Sequence, residues 1–341
     1  MATGLLRLTG SIGIGQFWPN GGSDADTIKV DIKPGAFAFR PHPAARFAAT
    51  TVFDRSSVSG KSGRKPVVDK NNRVIIRLQG IDAPELHYPG MLSTKLAKLT
   101  PAQRAAWDAL DTTDYRQAYG ESATVALGKR LARLAGGKTV VPCQVTTAVD
   151  HPNEVLDTYG RFIGDVLVTV GAKPANINLW LAEQGWAFPT FYTSMSAAEI
   201  ASYGGSAKTA RAKKLGVWKD LSLKLGTAKL RYRKKPMGQP DAGPVILPKL
   251  FRRLVVWTLD TAVGLTGDPL KAFLHGLNPR DSCYLTTEFV KFGIHSAAVT
   301  QHFLDEFVSN AGAISFQPDE LVFAEKPSTL LDANGKPVAG W

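Results

Sequence analysis

The stretch from Arg73 to Glu85, R-V-I-I-R-L-Q-G-I-D-A-P-E, constrains this chain more than any other. Val74 to Leu78 predict a buried strand rich in β-branched residues, yet Arg77 sits inside it. A guanidinium is costly to bury unless it meets an anion or a fixed acceptor. Past the Gly80 break come Asp82 and Glu85, with Pro84 between them to stiffen the turn. One cation and two carboxylates therefore reach one strand end. Phosphate-ester chemistry uses such a set: a guanidinium fork for phosphate, one carboxylate for a hard metal ion, and one to activate water. The same residues equally suit a plain salt-bridge cluster, so this stretch alone leaves both readings standing.

Further segments carry the decision. S-D-A-D-T-I-K-V puts Asp24 and Asp26 directly before a short alternating strand, Thr27 to Ile32. D-T-Y-G-R-F-I-G-D-V puts Tyr159 and Arg161 at the start of another. N-L-W-L-A-E-Q-G-W-A (178–187) and A-R-A-K-K-L-G-V-W (210–218) follow. An aspartate pair before a strand, R-L-x-G-I-D-x-P-E, a Y-G-R turn, a helix ending in Q-G and a last helix ending near a tryptophan, in that order, resemble the staphylococcal nuclease (thermonuclease) family. The resemblance spans roughly residues 5–220, with two insertions.

Several expectations follow from that resemblance. The fold class it implies is α+β: an OB-fold, a five-stranded Greek-key β-barrel with packed helices. Asp26 and Asp82, with the backbone carbonyl of Ala83, are implied ligands of a calcium ion. Arg77 and Arg161 are implied to grip the scissile phosphate, and Glu85 to orient or deprotonate the attacking water. Tyr159 is implied to hold the neighbouring phosphate. Calcium takes six to eight hard oxygen ligands, so this donor set suits it without His or Cys. The chain departs from the family at Ala25 (usually glycine), at Thr158 (often lysine) and at Phe191 (tyrosine). Tyr192 is therefore the substitute candidate for a substrate hydroxyl contact.

Charge agrees with a polyanion substrate. The chain carries 41 Lys+Arg against 29 Asp+Glu, a net +12. Residues 241–341 hold 8 basic and 11 acidic side chains, leaving 33 and 18 for the first 240, so the basic excess belongs to the nuclease-like part. Cys143 and Cys283, far apart and outside any C-x-x-C context, exclude a disulfide framework or zinc site and read as ordinary buried or free thiols. No apolar stretch approaches the about 18 residues that span a membrane. No charged region followed by a long apolar run opens the chain, so the expectation for the sequence as written is cytoplasmic, with secretion open if a leader precedes it.

Along the chain, residues 4–18 predict a first strand, with a turn at Asn20-Gly21-Gly22. Residues 34–72, rich in Pro, Ser and Gly, predict an elaborated solvated loop with one added strand at Ala48 to Phe53. A second insertion, about 86–113, holds a helix opened by Thr100 as N-cap and Pro101 at N1. His87, beside Glu85, reads as a hydrogen-bonded surface residue. Tyr115 to Ala135 predict a long helix ended by Gly136-Gly137, Lys138 to Val149 a strand, and Phe162 to Val170 another. Helices are expected at Asn178 to Gln184 and Ala197 to Leu215. The domain expectation is a nuclease-like domain over 1–220, a basic Pro/Gly-rich linker over 221–247, and a mainly helical accessory domain over 248–341 that offers a surface for a protein partner. In the linker, Lys229, Arg231, Arg233, Lys234 and Lys235 around Tyr232 suit either a phosphate-backbone track or a solvated tether. His295 and His302, seven apart, are expected on one face of a helix, where polar residues belong by default.

The sequence reading is thus a calcium-dependent nuclease, an endonuclease-type phosphodiesterase acting on DNA, RNA or both. The alternative is a non-catalytic nucleic-acid- or protein-binding module on a nuclease-like barrel.

Overall fold

In a computed structural model of the protein, the described residues are 2–60, 63–110, 115–170, 173–225, 244–325 and 328–341. Lys229, Arg231, Tyr232, Arg233, Lys234 and Lys235 lie outside them, as does most of the 221–247 linker. The chain divides into two compact units. The first comprises Met1–Ile81, Thr124–Leu181 and Glu325–Trp341; the second comprises Asp82–Ala123 and Ala182–Ala324.

Five strands make the first unit a closed barrel: β1 (Leu5–Gly13), β2 (Thr27–Asp31), β3 (Arg73–Leu78), β4 (Val140–Ala148) and β5 (Phe162–Val170). β1 pairs with β2, β2 with β3, β3 with β5, β5 with β4, and β4 returns to β1. All these pairs are antiparallel except β3–β5, which is parallel, with Phe162 opposite Ile76 and Ile163 opposite Arg77. Closure removes every barrel edge. Period-two alternation turns Leu6, Leu8, Ile12, Ile28, Val30, Val74, Ile76, Val145 and Val166 inward, each at most 1% exposed. The same alternation corrects the expectation for β3. It is half-buried rather than buried throughout, because Ile75 and Arg77 stand on its outer face, and Ile75 is 42% exposed.

The 34–72 insertion is not a solvated loop. Its strand Phe37–Arg40 pairs with β1, and its hairpin Ser57–Gly60 and Gly63–Pro66 is joined by the C-terminal strand Thr329–Leu331. The strand expected at Ala48 to Phe53 is confined to Ala48–Ala49. Phe53 is instead fully buried against Phe37 (5.0 Å between ring centroids), Phe162 of β5 (5.8 Å) and Trp341 (5.8 Å).

Asn178 fastens the barrel strands to one another. Its side-chain N–H donates to the carbonyls of Gln79 and Gly164, both at 3.0 Å, and its Oδ1 accepts from the N–H of Val166 at 3.0 Å. The side chain is fully buried, so Asn178→Ala takes the side-chain acceptor from the Val166 N–H and the side-chain donor from the Gln79 and Gly164 carbonyls, of which Gly164 keeps the Gln79 N–H at 3.0 Å. The expected loss is about 2–4 kcal/mol of unfolding free energy, measured by urea titration.

The second unit contains the helices Pro101–Asp108, Ala197–Ala212, Pro248–Ala262, Leu270–His275 and Thr286–Phe292. Beside them runs a four-stranded sheet ordered Phe191–Tyr192, Leu321–Phe323, Ser282–Leu285, His302–Phe303. Thr100 caps its helix as expected, in a capping box with Gln103. The Pro248–Ala262 helix lays Leu250, Phe251, Leu254, Val255 and Leu259 into a core with Phe188, Trp218 and Phe323. The Q-G and L-G-V-W motifs have a shared purpose: Gly185 (φ +68°) and Gly216 (φ +50°) meet backbone to backbone, and the Val217 N–H donates to the Gly185 carbonyl at 2.8 Å. A Cβ on either glycine collides with the other segment's backbone.

Two helix expectations need correction here. The helix expected from Tyr115 starts at Gly120, because Tyr115 exchanges backbone hydrogen bonds with Tyr88 and Tyr119 adopts φ +70°. His295 and His302 share no helix face. The preceding helix ends at Phe292 with Gly293 left-handed at φ +75°, and His302 lies in a strand.

Cys143 and Cys283 are free and buried, as expected, and burial pushes each thiol up to about 12. No helix among the described residues is long and apolar enough to cross a membrane. Asp305, almost fully buried, accepts from Arg280 at 2.8 Å on both oxygens and lies 3.1 Å from His275 Nδ1. Burial works against its charge, but these hydrogen bonds hold its carboxyl below the ordinary 3.8. The unfolded chain therefore binds the proton first as pH falls, so this contribution is complete above about pH 5 and fades below pH 4. Asp305→Asn is accordingly expected to be destabilised most at neutral pH and to converge with the parent in acid, as read from melting temperature against pH.

Candidate active site

Within the barrel unit, register brings the sequence-predicted residues together. Thr27 opens β2 opposite Arg77 on β3, and Arg77 lies opposite Ile163 on β5. Asp26, just before β2, takes Arg77 Nη1 on Oδ2 at 2.9 Å, while its Oδ1 accepts the Thr27 hydroxyl at 3.0 Å. Arg161 Nη1 donates to the same hydroxyl oxygen at 3.1 Å. Asp26, Thr27, Arg77 and Arg161 thus form one continuous network. The Asp26 and Arg77 side chains are only 10% and 12% exposed, so their charges are little screened by water.

The Y-G-R turn is built by Asp157, a residue that sequence reading missed. Its Oδ1 accepts the N–H groups of Tyr159 and Arg161, both at 2.9 Å, and its Oδ2 accepts Arg161 Nε at 2.7 Å. Gly160 supplies the required left-handed residue at φ +81°. The spacing D-x-Y-G-R is that of an Asx turn, so this role was available from sequence. The turn leaves Tyr159 half-exposed, with the Arg161 guanidinium 5.5 Å from its ring centroid. A flat, accessible aromatic beside a cation is a surface on which a nucleic-acid base or sugar can rest.

In the second unit, Asp82 is 1% exposed, and Ala83 beside it is buried. Glu85 is held through its backbone: its N–H donates to Gln117 Oε1 at 3.2 Å and its carbonyl accepts the Gln117 N–H at 2.8 Å. Both acids meet a cation that sequence analysis did not single out. Arg252, from the Pro248–Ala262 helix, donates through Nη2 to Asp82 Oδ2 at 3.1 Å and through Nη1 to Glu85 Oε1. Burial opposes the charge of Arg252, but Asp82 and Glu85 hold the guanidinium protonated well above its ordinary range. Nothing local marks Arg252 in the sequence: it lies 170 residues from Asp82. Phe191 is core, and Tyr192 is the partly exposed member of that pair, with Lys249 Nζ 5.8 Å from its ring. Burial lowers the Lys249 ammonium below its ordinary range against the opposing pull of Asp281.

Among the described residues no group of three or more His, Cys, Asp or Glu gathers as a metal cluster. The implied calcium set does not need one, since it consists of two carboxylates and a backbone carbonyl completed by water and substrate oxygens. Hard oxygen donors fit that ion. Each of the two carboxylates also carries an arginine: Arg77 on Asp26 and Arg252 on Asp82.

A closed barrel ordered β1-β2-β3-β5-β4, with a parallel β3–β5 contact, is an OB-fold. Residues 75–220 match the family model described as Staphylococcal nuclease homologue, and with that barrel the chain contains a staphylococcal-nuclease-like OB-fold domain. The match takes in Arg77, Asp82, Glu85, Tyr159, Arg161 and Tyr192; Asp26 and Arg252 lie outside it. A comparison with curated proteins finds no match.

Proposed function

We propose that the protein is a calcium-dependent phosphodiesterase that hydrolyses DNA, RNA or both by attack of water on phosphorus. The observation that carries this reading is the joining of Arg77 and Arg161 through Asp26 and Thr27 at neighbouring strand ends. Phosphoryl transfer leaves little covalent work for a protein, so catalysis rests on positioning and charge neutralisation. Two guanidiniums held in one network offer forked donors to the equatorial oxygens of a phosphodiester. Glu85 orients the water and takes its proton as the new P–O bond forms and the leaving oxygen departs. Tyr159 and Tyr192 position flanking nucleotide groups. Asp26, Asp82 and the Ala83 carbonyl would hold calcium, which when bound supplies positive charge beside the phosphate.

The pairing of Asp82 and Glu85 with Arg252 favours a second reading, a nucleic-acid-binding module whose acids serve its structure. Degradation of single-stranded DNA, duplex DNA and RNA, each in calcium, magnesium and chelator, separates the two. The first reading expects cleavage in calcium that chelator abolishes. Tight binding by folded protein with no cleavage of any substrate supports the second.

A further inference from the structure

Arg252 belongs to neither the matched stretch nor the implied catalytic set, yet it bridges the two acids that follow β3. All three residues lie in the second unit. The helix that bears Arg252 is anchored by a buried stripe from Leu250 to Leu259, so its backbone is firmly placed. Its neighbour Arg253 is committed elsewhere, to Asp281 at 2.6 and 2.8 Å. Lys249 also faces Asp281, at 3.9 Å. Arg252 puts one guanidinium nitrogen on each acid, and its side chain is 30% exposed against 1% for Asp82.

We propose that Arg252 is a resident counter-cation of the site: it occupies Asp82 and Glu85 when no divalent ion is bound and so sets the ion concentration at which the site becomes competent. The inference rests on the calcium reading above. A buried carboxylate without a counter-charge is costly, so Asp82 needs a cation in either state. A divalent ion taking an Asp82 oxygen meets a guanidinium already on that carboxylate, and two cations on one carboxylate repel. Partial exposure gives Arg252 a route to swing into water while the helix stays packed. Arg252 thus acts through Asp82 and Glu85 as a positioning residue, and a segment outside the nuclease-like match tunes the ion requirement.

Calcium titration calorimetry on the full chain tests this, with Arg252→Gln, Arg252→Lys and Asp82→Asn beside the parent. Arg252→Gln is expected to bind calcium at least about tenfold tighter, because a competing charge is gone. It is also expected to melt lower than the parent in chelator and to gain more from calcium. Arg252→Lys, whose ammonium is a single point charge in place of a two-armed fork, falls between them. Should Arg252→Gln fail to fold, Arg252→Lys decides, and an affinity equal to the parent's overturns the proposal. Folded Arg252→Gln binding calcium equally or more weakly, while the parent binds and Asp82→Asn does not, removes the Arg252 inference and leaves the calcium reading intact. No calcium binding by any of the four proteins overturns both.

Discussion

Arg161→Ala is expected to slow nucleic-acid hydrolysis by roughly a hundredfold to a thousandfold, the loss typical of removing one preorganised donor to developing oxyanion charge. The effect falls on the chemical step, because Arg161 is placed by Asp157 and Thr27 before any substrate arrives. Stability is expected to change little, since the Arg161–Asp157 pair is partly exposed, at 28% and 16%, and such pairs contribute on the order of 1 kcal/mol or less. Arg161→Lys restores only part of the rate, because an ammonium cannot hold Asp157 and Thr27 and still present a fork to phosphate. Steady-state kinetics on a defined oligonucleotide, with circular dichroism to verify folding, gives the result. An unchanged rate in folded Arg161→Ala removes this residue from the mechanism.

The largest stability effect is expected at Phe53, in a segment whose composition reads as solvated loop. Phe53→Ala deletes a fully buried ring in contact with Phe37, Phe162 and Trp341, at a cost of about 3–5 kcal/mol. That is a large share of the 5–15 kcal/mol or so that typically separates folded from unfolded states. Guanidinium unfolding measures it. A loss below about 1 kcal/mol contradicts the finding that the insertion completes the core of the barrel unit.

How much of this was legible in sequence follows from how local each signal is. β2, β4 and β5 carry alternation within one short run, and their bounds agree with expectation to within a few residues. β3 was misjudged because Val74, Ile75 and Ile76 are all apolar and conceal the outward position that Ile75 shares with Arg77. Phe37 and Phe53 sit among Pro, Ser and Gly, and the barrel-strand ring that receives both, Phe162, lies more than a hundred residues on. Gly293 broke a helix that hydrophobic spacing alone continued. The places of Arg77 and Arg161 at strand ends were readable from motifs, and Asp157 was recoverable from turn spacing. Arg252 was not, because a long-range ion pair leaves no periodic or local trace.

The most direct measurement of the central claim is single-turnover cleavage of a labelled single-stranded DNA by the parent and by Glu85→Gln, in calcium and in chelator. The account expects calcium-dependent cleavage by the parent and a rate at least about a hundredfold lower in Glu85→Gln, the usual contribution of a positioned base. Equal rates for the two proteins, or a full parent rate in chelator, would contradict it.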